Sequence, residues 1–293
     1  MNVHEPIDAQ LMSQARHDAA GAAERAGVQI VPARDADDCR RVADLLNQVW
    51  QVPPGHDVLD VSMLVGFIHS GCYVALACDA ASQVVIAAGV GFFGPPGSPL
   101  HSHIAGVVPG GVGRGVGRAL KLHQRAWSLE RGVDQITWTY DPLVARNAWF
   151  NLVTLGARAD AYYPDHYGVM TDGLNAGQAS DRMLIRWDLR RDPSPADPIA
   201  GARHTVLADV EGRPGPVDVE VPGGCVAAEI AVPGDIEALR LSDRELAIAW
   251  RQATRSAFVP LLGAGWQVTG IEWPARYLLT RAHRSEPTDQ EHR

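Results

Sequence analysis

Glycine is concentrated in the ten-residue segment 109–118, which holds five glycines between an apolar run and a helical pattern. Because glycine lacks a Cβ atom, successive backbone N–H groups of such a turn can point at one anion. The N-terminus of the following helix adds partial positive charge. This arrangement predicts a phosphate-binding site, with pyrophosphate as the natural ligand. A tight turn that binds nothing is the alternative interpretation.

The common nucleotide motifs do not fit this spacing. A P-loop ends in Gly-Lys-Ser/Thr, whereas Gly117 is followed by Arg118 and Ala119. No register of the glycines matches the dinucleotide fingerprint GxGxxG, and the acidic residue expected after a second strand is not evident. The sequence therefore favours neither nucleoside triphosphate hydrolysis nor a dinucleotide cofactor.

Two histidines and one aspartate are candidates for proton transfer. His101 and His103 alternate on the predicted strand before the glycine turn, so they share a face, and histidine titrates near neutral pH. His103 is a candidate general base, and a partly buried hydrogen-bonding role is the alternative. Asp141 ends the next predicted strand, where it serves either in catalysis or as a cap or turn residue. No third ligand accompanies the histidines, so no metal site is predicted.

The elements that must position these residues follow from hydrophobic periodicity. Residues 28–190 predict the order β-α-α-β-β-β-α-β-α-β-β, which implies a mixed sheet with helices on both faces. Residues 1–27 form an extension, either a helix packed outside the main fold or a partly disordered lead-in. The proline-rich residues 191–222 predict a linker or arm. Residues 223–280 predict a smaller α/β unit, and residues 281–293 a frayed tail.

Two segments resemble a known family. Val107–Pro109 followed by Gly113–Leu120 is similar to the signature of the GNAT superfamily, Q/R-x-x-G-x-G/A after a strand. Asn147-Ala148 with Leu155–Ala157 behind it resembles the second helix of that superfamily. The resemblance covers roughly residues 28–190. Further matches at residues 138–143 and 180–182 resemble a subgroup of larger predicted GNAT acetyltransferases.

The resemblance implies a fold, a donor and a reaction. The fold is α/β, a GNAT-like mixed, mostly antiparallel sheet flanked by helices, with a smaller C-terminal α/β unit. The donor is acetyl-CoA or another short acyl-CoA such as succinyl-CoA, with its pantetheine arm between strands four and five. The reaction is N-acyl transfer to a primary amine of a small molecule. The residues implied to bind the donor are Val107, Gly113, Arg114, Gly115, Val116, Gly117, Arg118 and Asn147.

Two departures from the family pattern affect this interpretation. Val112 replaces the Gln or Arg of the signature, which removes a side-chain contact but leaves the backbone cradle. Leu152 replaces the tyrosine that protonates the departing thiolate in many members. Tyr167 is the preferred substitute acid, and a role in the strand core is its alternative. The missing acid also leaves open a non-catalytic protein that binds or senses acyl-CoA.

The composition and charge of the chain restrict the classes of binding partner that we expect. The chain has 26 Lys and Arg against 34 Asp and Glu, a net charge of -8, and no basic run, which argues against nucleic acid. We expect no membrane segment and a cytoplasmic protein. Arg251 and Arg255, one helical turn apart, could bind a carboxylate of substrate or acyl group, or belong to a salt-bridged face. Residues 223–280 could close the acceptor pocket, complete a homodimer or buttress the sheet.

Overall fold

The structure is a computed structural model that describes residues 6–53, 55–168, 179–191 and 199–281. The main sheet contains seven strands: β1 (Val28–Pro32), β2 (Tyr73–Asp79), β3 (Val85–Phe93), β4 (Leu100–Val107), β5 (Gln135–Tyr140), β6 (Arg158–Tyr163) and β7 (Arg182–Asp188). The helices that accompany it are α1 (Ala9–Ala26), α2 (Ala36–Trp50), α3 (Val61–His69), α4 (Val116–Leu129) and α5 (Ala145–Trp149). The predicted order of elements in this region is confirmed.

The strands lie in the order β1-β2-β3-β4-β5-β7-β6. Neighbours are antiparallel except for β4 and β5, which are parallel. Helices α2 and α3 pack on one face, where Val42, Leu46 and Leu64 are fully buried. Helix α4 packs on the other face. The predicted fold class, a mixed and mostly antiparallel sheet flanked by helices, is confirmed.

Helix α1 belongs to the main core, which corrects the expectation that it packs outside the fold. Ala15, Ala19, Ala22 and Ala26 recur at helical spacing and are buried. Their small side chains let α1 approach α4 closely. The helix begins at the cap Asp8, whose side chain accepts a hydrogen bond from the backbone N–H two residues later.

A second sheet is built from the C-terminal region. It contains β8 (Arg203–Leu207), β11 (Ala227–Ala231), β12 (Trp266–Glu272) and β13 (Arg276–Arg281) in the order β12-β13-β11-β8, with a small hairpin of β9 (Asp209–Val210) and β10 (Arg213–Pro214) beside it. Strand β8 pairs in parallel with β11. Strand β8 thus lies within residues 191–222, for which a linker or arm was predicted, and two buried residues, Val206 and Leu207, anchor this strand between proline-rich stretches. Residues 192–198, and 282–293 of the predicted tail, lie outside the described residues.

Two helices lie between β11 and β12: α6 (Ile236–Ser242) and α7 (Arg244–Gly263). The sequence Ser242-Asp243-Arg244-Glu245 has the spacing of a capping box, in which Ser242 would cap the helix. Asp243 caps α7 instead, because its carboxylate accepts the backbone N–H of Leu246 at 2.9 Å. None of the helices in the described ranges is long and apolar enough to cross a membrane.

The C-terminal unit packs against the β5–β7–β6 end of the main sheet. Tyr277 of β13 accepts a hydrogen bond from Tyr140 at 3.0 Å and donates one to the Pro142 carbonyl at 2.7 Å. The Phe258 ring lies between the rings of Tyr162 and Tyr277, at 5.5 and 5.1 Å. Among the roles considered for residues 223–280, these contacts match a buttress of the sheet.

Candidate functional site

A gap opens in the main sheet between β4 and β5. Within the described sheet the two strands pair only at Leu100 with Ile136 and at His101 with Thr137. From Ser102 onward β4 continues beside β3, and from Trp138 onward β5 continues beside β7. The facing backbone groups of the diverging segments therefore lack a strand partner, and an extended ligand that carries amides can pair with them.

A β-bulge in β4 coincides with the start of the gap. The register of β3 and β4 shifts between the pairs Val90–Ile104 and Gly91–Ser102, so His103 is an extra residue in β4. A bulge bends its strand and increases the local twist. The bend gives a physical reason for the divergence of β4 from β5.

The glycine turn lies where β4 ends and α4 begins. Gly113 and Gly115 have φ angles of 82° and 84°, and a Cβ atom at either position would meet no atom within 4 Å. In the part of the chain that the structure describes, no side chain caps α4 at Gly115. The first N–H groups of α4, from Val116 to Arg118, therefore remain available to an anion. This geometry fits the predicted phosphate cradle.

The two arginines of the cradle have other neighbours in this structure. Arg114 binds Asp79 at 2.9 Å and the Ala26 carbonyl at 3.2 Å. Hydrogen bonds from Ser82 and Arg114 lower the pKa of Asp79 to about 2. Arg118 lines a small cavity whose other lining residues come from α1, α4, the end of the π-helix and β7. Contact of either arginine with a phosphate remains a prediction.

Helix α5, which contains the Asn147-Ala148 of the family pattern, is short, and the chain continues from it in an irregular helix. Asn147 is exposed on α5, and residues 150–154 form a π-helix that contains the half-buried Leu152. Asn151 is buried and accepts a hydrogen bond from Trp138 Nε1 at 3.2 Å. The Asn147 side chain makes no hydrogen bond within the described residues, which leaves its amide available to a ligand, whereas Leu152 offers no proton.

Polar side chains gather on the α2 side of the gap. Thr137 and Thr139 share one face of β5, with the Thr137 hydroxyl 3.5 Å from His101 Nδ1 and the Thr139 hydroxyl 3.0 Å from the Tyr167 hydroxyl. Tyr167 is 44% exposed. The rings of His101 and His103 both contact Phe92. The structure therefore brings the predicted base and the predicted acid to the same face of the sheet.

Both histidines are suited to accept a proton near neutral pH. Burial lowers the pKa of the His103 ring. Burial also lowers the pKa of His101, and positive charge on neighbouring side chains lowers it further. A histidine with a lowered pKa is neutral at pH 7, which a general base must be. Within the described residues no group of three or more His, Cys, Asp or Glu side chains could hold a metal ion.

Asp141 does not have the environment of a catalytic residue. Its buried carboxylate binds Arg251 at 2.8 and 2.6 Å and Arg240 at 2.5 Å, and it accepts the backbone N–H of Leu143. Burial alone would raise the pKa of Asp141, but the two arginines outweigh burial and hold the pKa far below its usual value. Of the two roles predicted for Asp141, this environment matches the cap or turn residue, because an ionised, fully paired carboxylate neither gives nor takes a proton near pH 7.

Arg251 and Arg255 are likewise engaged within the protein. Arg251 pairs with Asp141, and Arg255 Nε donates to Asp181 at 2.9 Å. Asp181 also accepts a hydrogen bond from Tyr162 at 2.6 Å. Of the two interpretations drawn from their spacing, the salt-bridged one describes this structure.

Comparisons with known proteins found similarity at the level of chain fold. No family model matches the sequence, and no curated protein matches it significantly. Solved structures similar to this chain include YncA from Salmonella typhimurium with its cofactor acetyl-CoA, at 17% identity and a TM-score of 0.45, over 58% of this chain and 99% of that one. The ribosomal-protein-S18-alanine N-acetyltransferase from Escherichia coli is 12% identical over 59% of this chain and 99% of its own, with a TM-score of 0.43. The ribosomal-protein-S5-alanine acetyltransferase from Vibrio fischeri is 14% identical over 58% and 96%, with a TM-score of 0.45.

One residue of the site is absent from the sequence predictions. Lys121, on α4, is 7% exposed and lies beneath the start of the gap. Its ammonium group is 2.8 Å from Ser102 Oγ, 3.1 Å from Gln124 Oε1 and 4.0 Å from the centre of the Trp138 ring. Burial lowers the pKa of Lys121 to about 7. A signal was present in the sequence, since Lys121 is the only lysine in the chain.

Proposed function

We propose that this protein is an acyl-CoA-dependent N-acyltransferase that moves an acetyl or another short acyl group to a primary amine of a small molecule. The observation that carries the proposal is the gap between β4 and β5, which leads to a glycine turn at an uncapped helix N-terminus. A pantetheine arm needs an extended slot with free backbone partners, and its pyrophosphate needs converging N–H groups.

The residues of the cradle fit this donor. Gly113 and Gly115 leave room for phosphate oxygens, and the N–H groups from Val116 to Arg118 would donate to them. Backbone groups near Val107 would pair with the pantetheine amides. Asn147, exposed on α5, would hydrogen-bond to the pantetheine or the phosphate bridge.

The reaction would use the polar face of the gap. His103, or His101 beside it, would take a proton from the incoming amine, whose nitrogen bonds to the thioester carbonyl carbon. The C–S bond then breaks, and Tyr167 would give its proton to the departing sulfur. The Thr139 hydroxyl, 3.0 Å from the Tyr167 hydroxyl, holds the phenol in place. The net charge of -8 disfavours a polyanionic acceptor and is compatible with a small amine.

A second candidate is a protein that binds or senses acyl-CoA without catalysis. Leu152 favours it, because this residue occupies the position of the family acid and carries no proton. The two candidates share the donor site and differ in turnover. An assay for release of free CoA from acetyl-CoA or succinyl-CoA, with and without a panel of primary amines, separates them. Amine-dependent release supports the transferase, and its absence with tight binding supports the sensor.

The donor site is tested by calorimetry with CoA, acetyl-CoA and succinyl-CoA. In Gly115→Glu a side chain and a negative charge enter the cradle, and we expect binding to fall by at least about a hundredfold, roughly 2.7 kcal/mol. Gly132→Glu is the matched control, because Gly132 has a φ of 76°, has no atom within 4 Å of a Cβ position and follows the opposite end of α4. Equal loss in both variants, or no binding by the wild type, would contradict the proposal.

A further inference from the structure

Lys121 lies at the apex of the gap. His101 and Thr137 form the last pair of β4 and β5, and the next residue of each strand contacts the Lys121 ammonium group. Ser102 does so through its hydroxyl and Trp138 through its ring. The lysine therefore contacts the two strands at the point where they separate.

The three polar groups at this apex have the geometry of a nucleophile and its base. Ser102 Oγ and Lys121 Nζ are 2.8 Å apart, and Gln124 Oε1, 3.1 Å from Nζ, orients the amine. A nucleophile within hydrogen-bond reach of a base, which a third group orients, is the usual signature of covalent catalysis, and Ser-Lys pairs are a known form of it. All three residues are at least nine-tenths buried.

The surroundings keep the amine available as a base. Lys121 has no carboxylate partner among the described residues, and burial lowers its pKa to about 7. The charge of Lys121 lowers the pKa of His101 on β4. The other groups that face the amine are uncharged: the Trp138 ring on β5 and the Gln124 amide on α4. The chain has 26 basic residues and uses lysine only here. Arginine cannot lose its proton in a protein, whereas a buried lysine can.

We propose that Ser102 and Lys121 form a nucleophile and base pair, through which Ser102 accepts the acyl group of a thioester held in the gap. The inference rests on the proposed function for its donor. It extends that function, because the acyl group would pass through an enzyme ester before it reaches the acceptor.

The chemistry balances with the groups at hand. Ser102 Oγ bonds to the thioester carbonyl carbon, the C–S bond breaks, and the serine proton moves to Lys121 Nζ and then to the departing sulfur. In this route the proton from Lys121 replaces the one that Tyr167 gives in direct transfer. In the second half an amine or water attacks the ester carbon, and its proton returns to Ser102 Oγ as the C–O bond breaks.

The test is acid-quenched mass spectrometry of the full chain after mixing with acetyl-CoA. A parallel reaction uses the acetyl thioester of N-acetylcysteamine, which has no nucleotide and so does not depend on the cradle. We expect an acetyl adduct on the peptide that contains Ser102, and its loss in Ser102→Ala. Ser128→Ala is the matched control, because Ser128 is a buried serine of α4 whose hydroxyl has no partner among the described residues.

Lys121→Arg keeps a positive charge and hydrogen-bond donors but cannot accept a proton. We expect it to bind CoA and to form the ester at least about a hundredfold more slowly, the usual scale of general-base catalysis. Wild-type ester formation should rise with pH through about 7. Circular dichroism of Lys121→Arg and of Lys121→Met shows whether the protein still folds when this lysine is replaced.

Several results would overturn the inference: no adduct with either thioester, an adduct on Lys121 itself, or an adduct that persists in Ser102→Ala. Failure of the proposed function has a different signature. If the small thioester labels Ser102 but calorimetry detects no CoA binding, the Ser102–Lys121 pair is supported and the CoA donor is wrong. If CoA binds, an amine is acylated and Ser102→Ala changes neither, transfer is direct and the pair has no part in it.

Discussion

Lys121 is buried although the hydrophobic periodicity of its helix does not predict burial at this position. Its neighbours Leu120 and Leu122 are buried, and on a helix the residue between them is expected to face another direction. Helix α4 is enclosed by α1 on one side and the sheet on the other, so Lys121 is buried as well. A buried amine with neutral partners costs several kcal/mol when charged, so its retention points to function rather than stability.

The cost of burying Lys121 predicts an unusual pH dependence of stability. The folded-state pKa is about 7 and the unfolded value is about 10.4, so the unfolded state binds more protons between these pH values. Wild-type stability should therefore rise with pH relative to Lys121→Met, by about 1.4 kcal/mol per pH unit across this window. Urea unfolding of both proteins at pH 7 and pH 9 measures the change. An equal difference at the two pH values would show that Lys121 keeps its proton in the fold.

Tyr167 is tested by a single-atom change. Tyr167→Phe removes the hydroxyl and keeps the ring, so we expect kcat for amine acylation to fall by about tenfold to a thousandfold with KM little changed. Tyr163→Phe is the control, because this tyrosine is also partly exposed and stacks on the same His166 ring. Steady-state kinetics with acetyl-CoA and an amine that the wild type acylates give kcat and KM for both variants. Equal effects in both variants would remove Tyr167 as the acid.

At the scale of elements, three features of local sequence build the site. The bulge at His103 bends β4, the glycine turn exposes backbone N–H groups, and α4 begins without a side-chain cap. Each feature is common alone. Together they place the proposed phosphate cradle at the end of a slot whose strand edges lack strand partners within the described sheet, which is why the cradle variant Gly115→Glu is the most direct test of the proposed donor site.

At the scale of the whole molecule, a buried ion-pair cluster joins the two sheets. Asp141 follows β5 of the main sheet, and its partners Arg240 and Arg251 belong to the helices of the C-terminal unit. Such a cluster holds the end of β5, and with it one wall of the gap, in a fixed position. Burial of any one of these charged groups alone would be costly, but in the cluster the attraction between opposite charges offsets the loss of hydration.

Removal of the central carboxylate should destabilise the molecule. Asp141→Asn leaves two buried arginines without their counter-charge, so we expect the free energy of unfolding to fall by about 3 kcal/mol or more in urea. Asp160→Asn, which breaks an exposed pair with Arg186, should cost less than about 1 kcal/mol. The pKa of Asp141 is far below its unfolded value, so its contribution is complete above about pH 4 and declines only in stronger acid. A difference that already declines between pH 8 and pH 5 would contradict this assignment.

The local features of this protein could be predicted from its sequence. The order of elements from β1 to β7, the glycine turn and the helix that follows it depend on periodicity and on residues with special backbone freedom, and these are properties of short segments. The same kind of pattern failed at β8, where a short strand among prolines gains its stability from pairing with β11, a partner that is distant in sequence.

The contacts between side chains from different elements could not be predicted from the sequence. The spacing of Arg251 and Arg255 permitted a substrate carboxylate, but the fold places Asp141 and Asp181 beside them. Lys121 and Ser102 are 19 residues apart and belong to different elements, so no periodicity connects them. Charge pairing, desolvation and the resulting pKa values depend on burial, and burial is a property of the packed molecule rather than of any one segment.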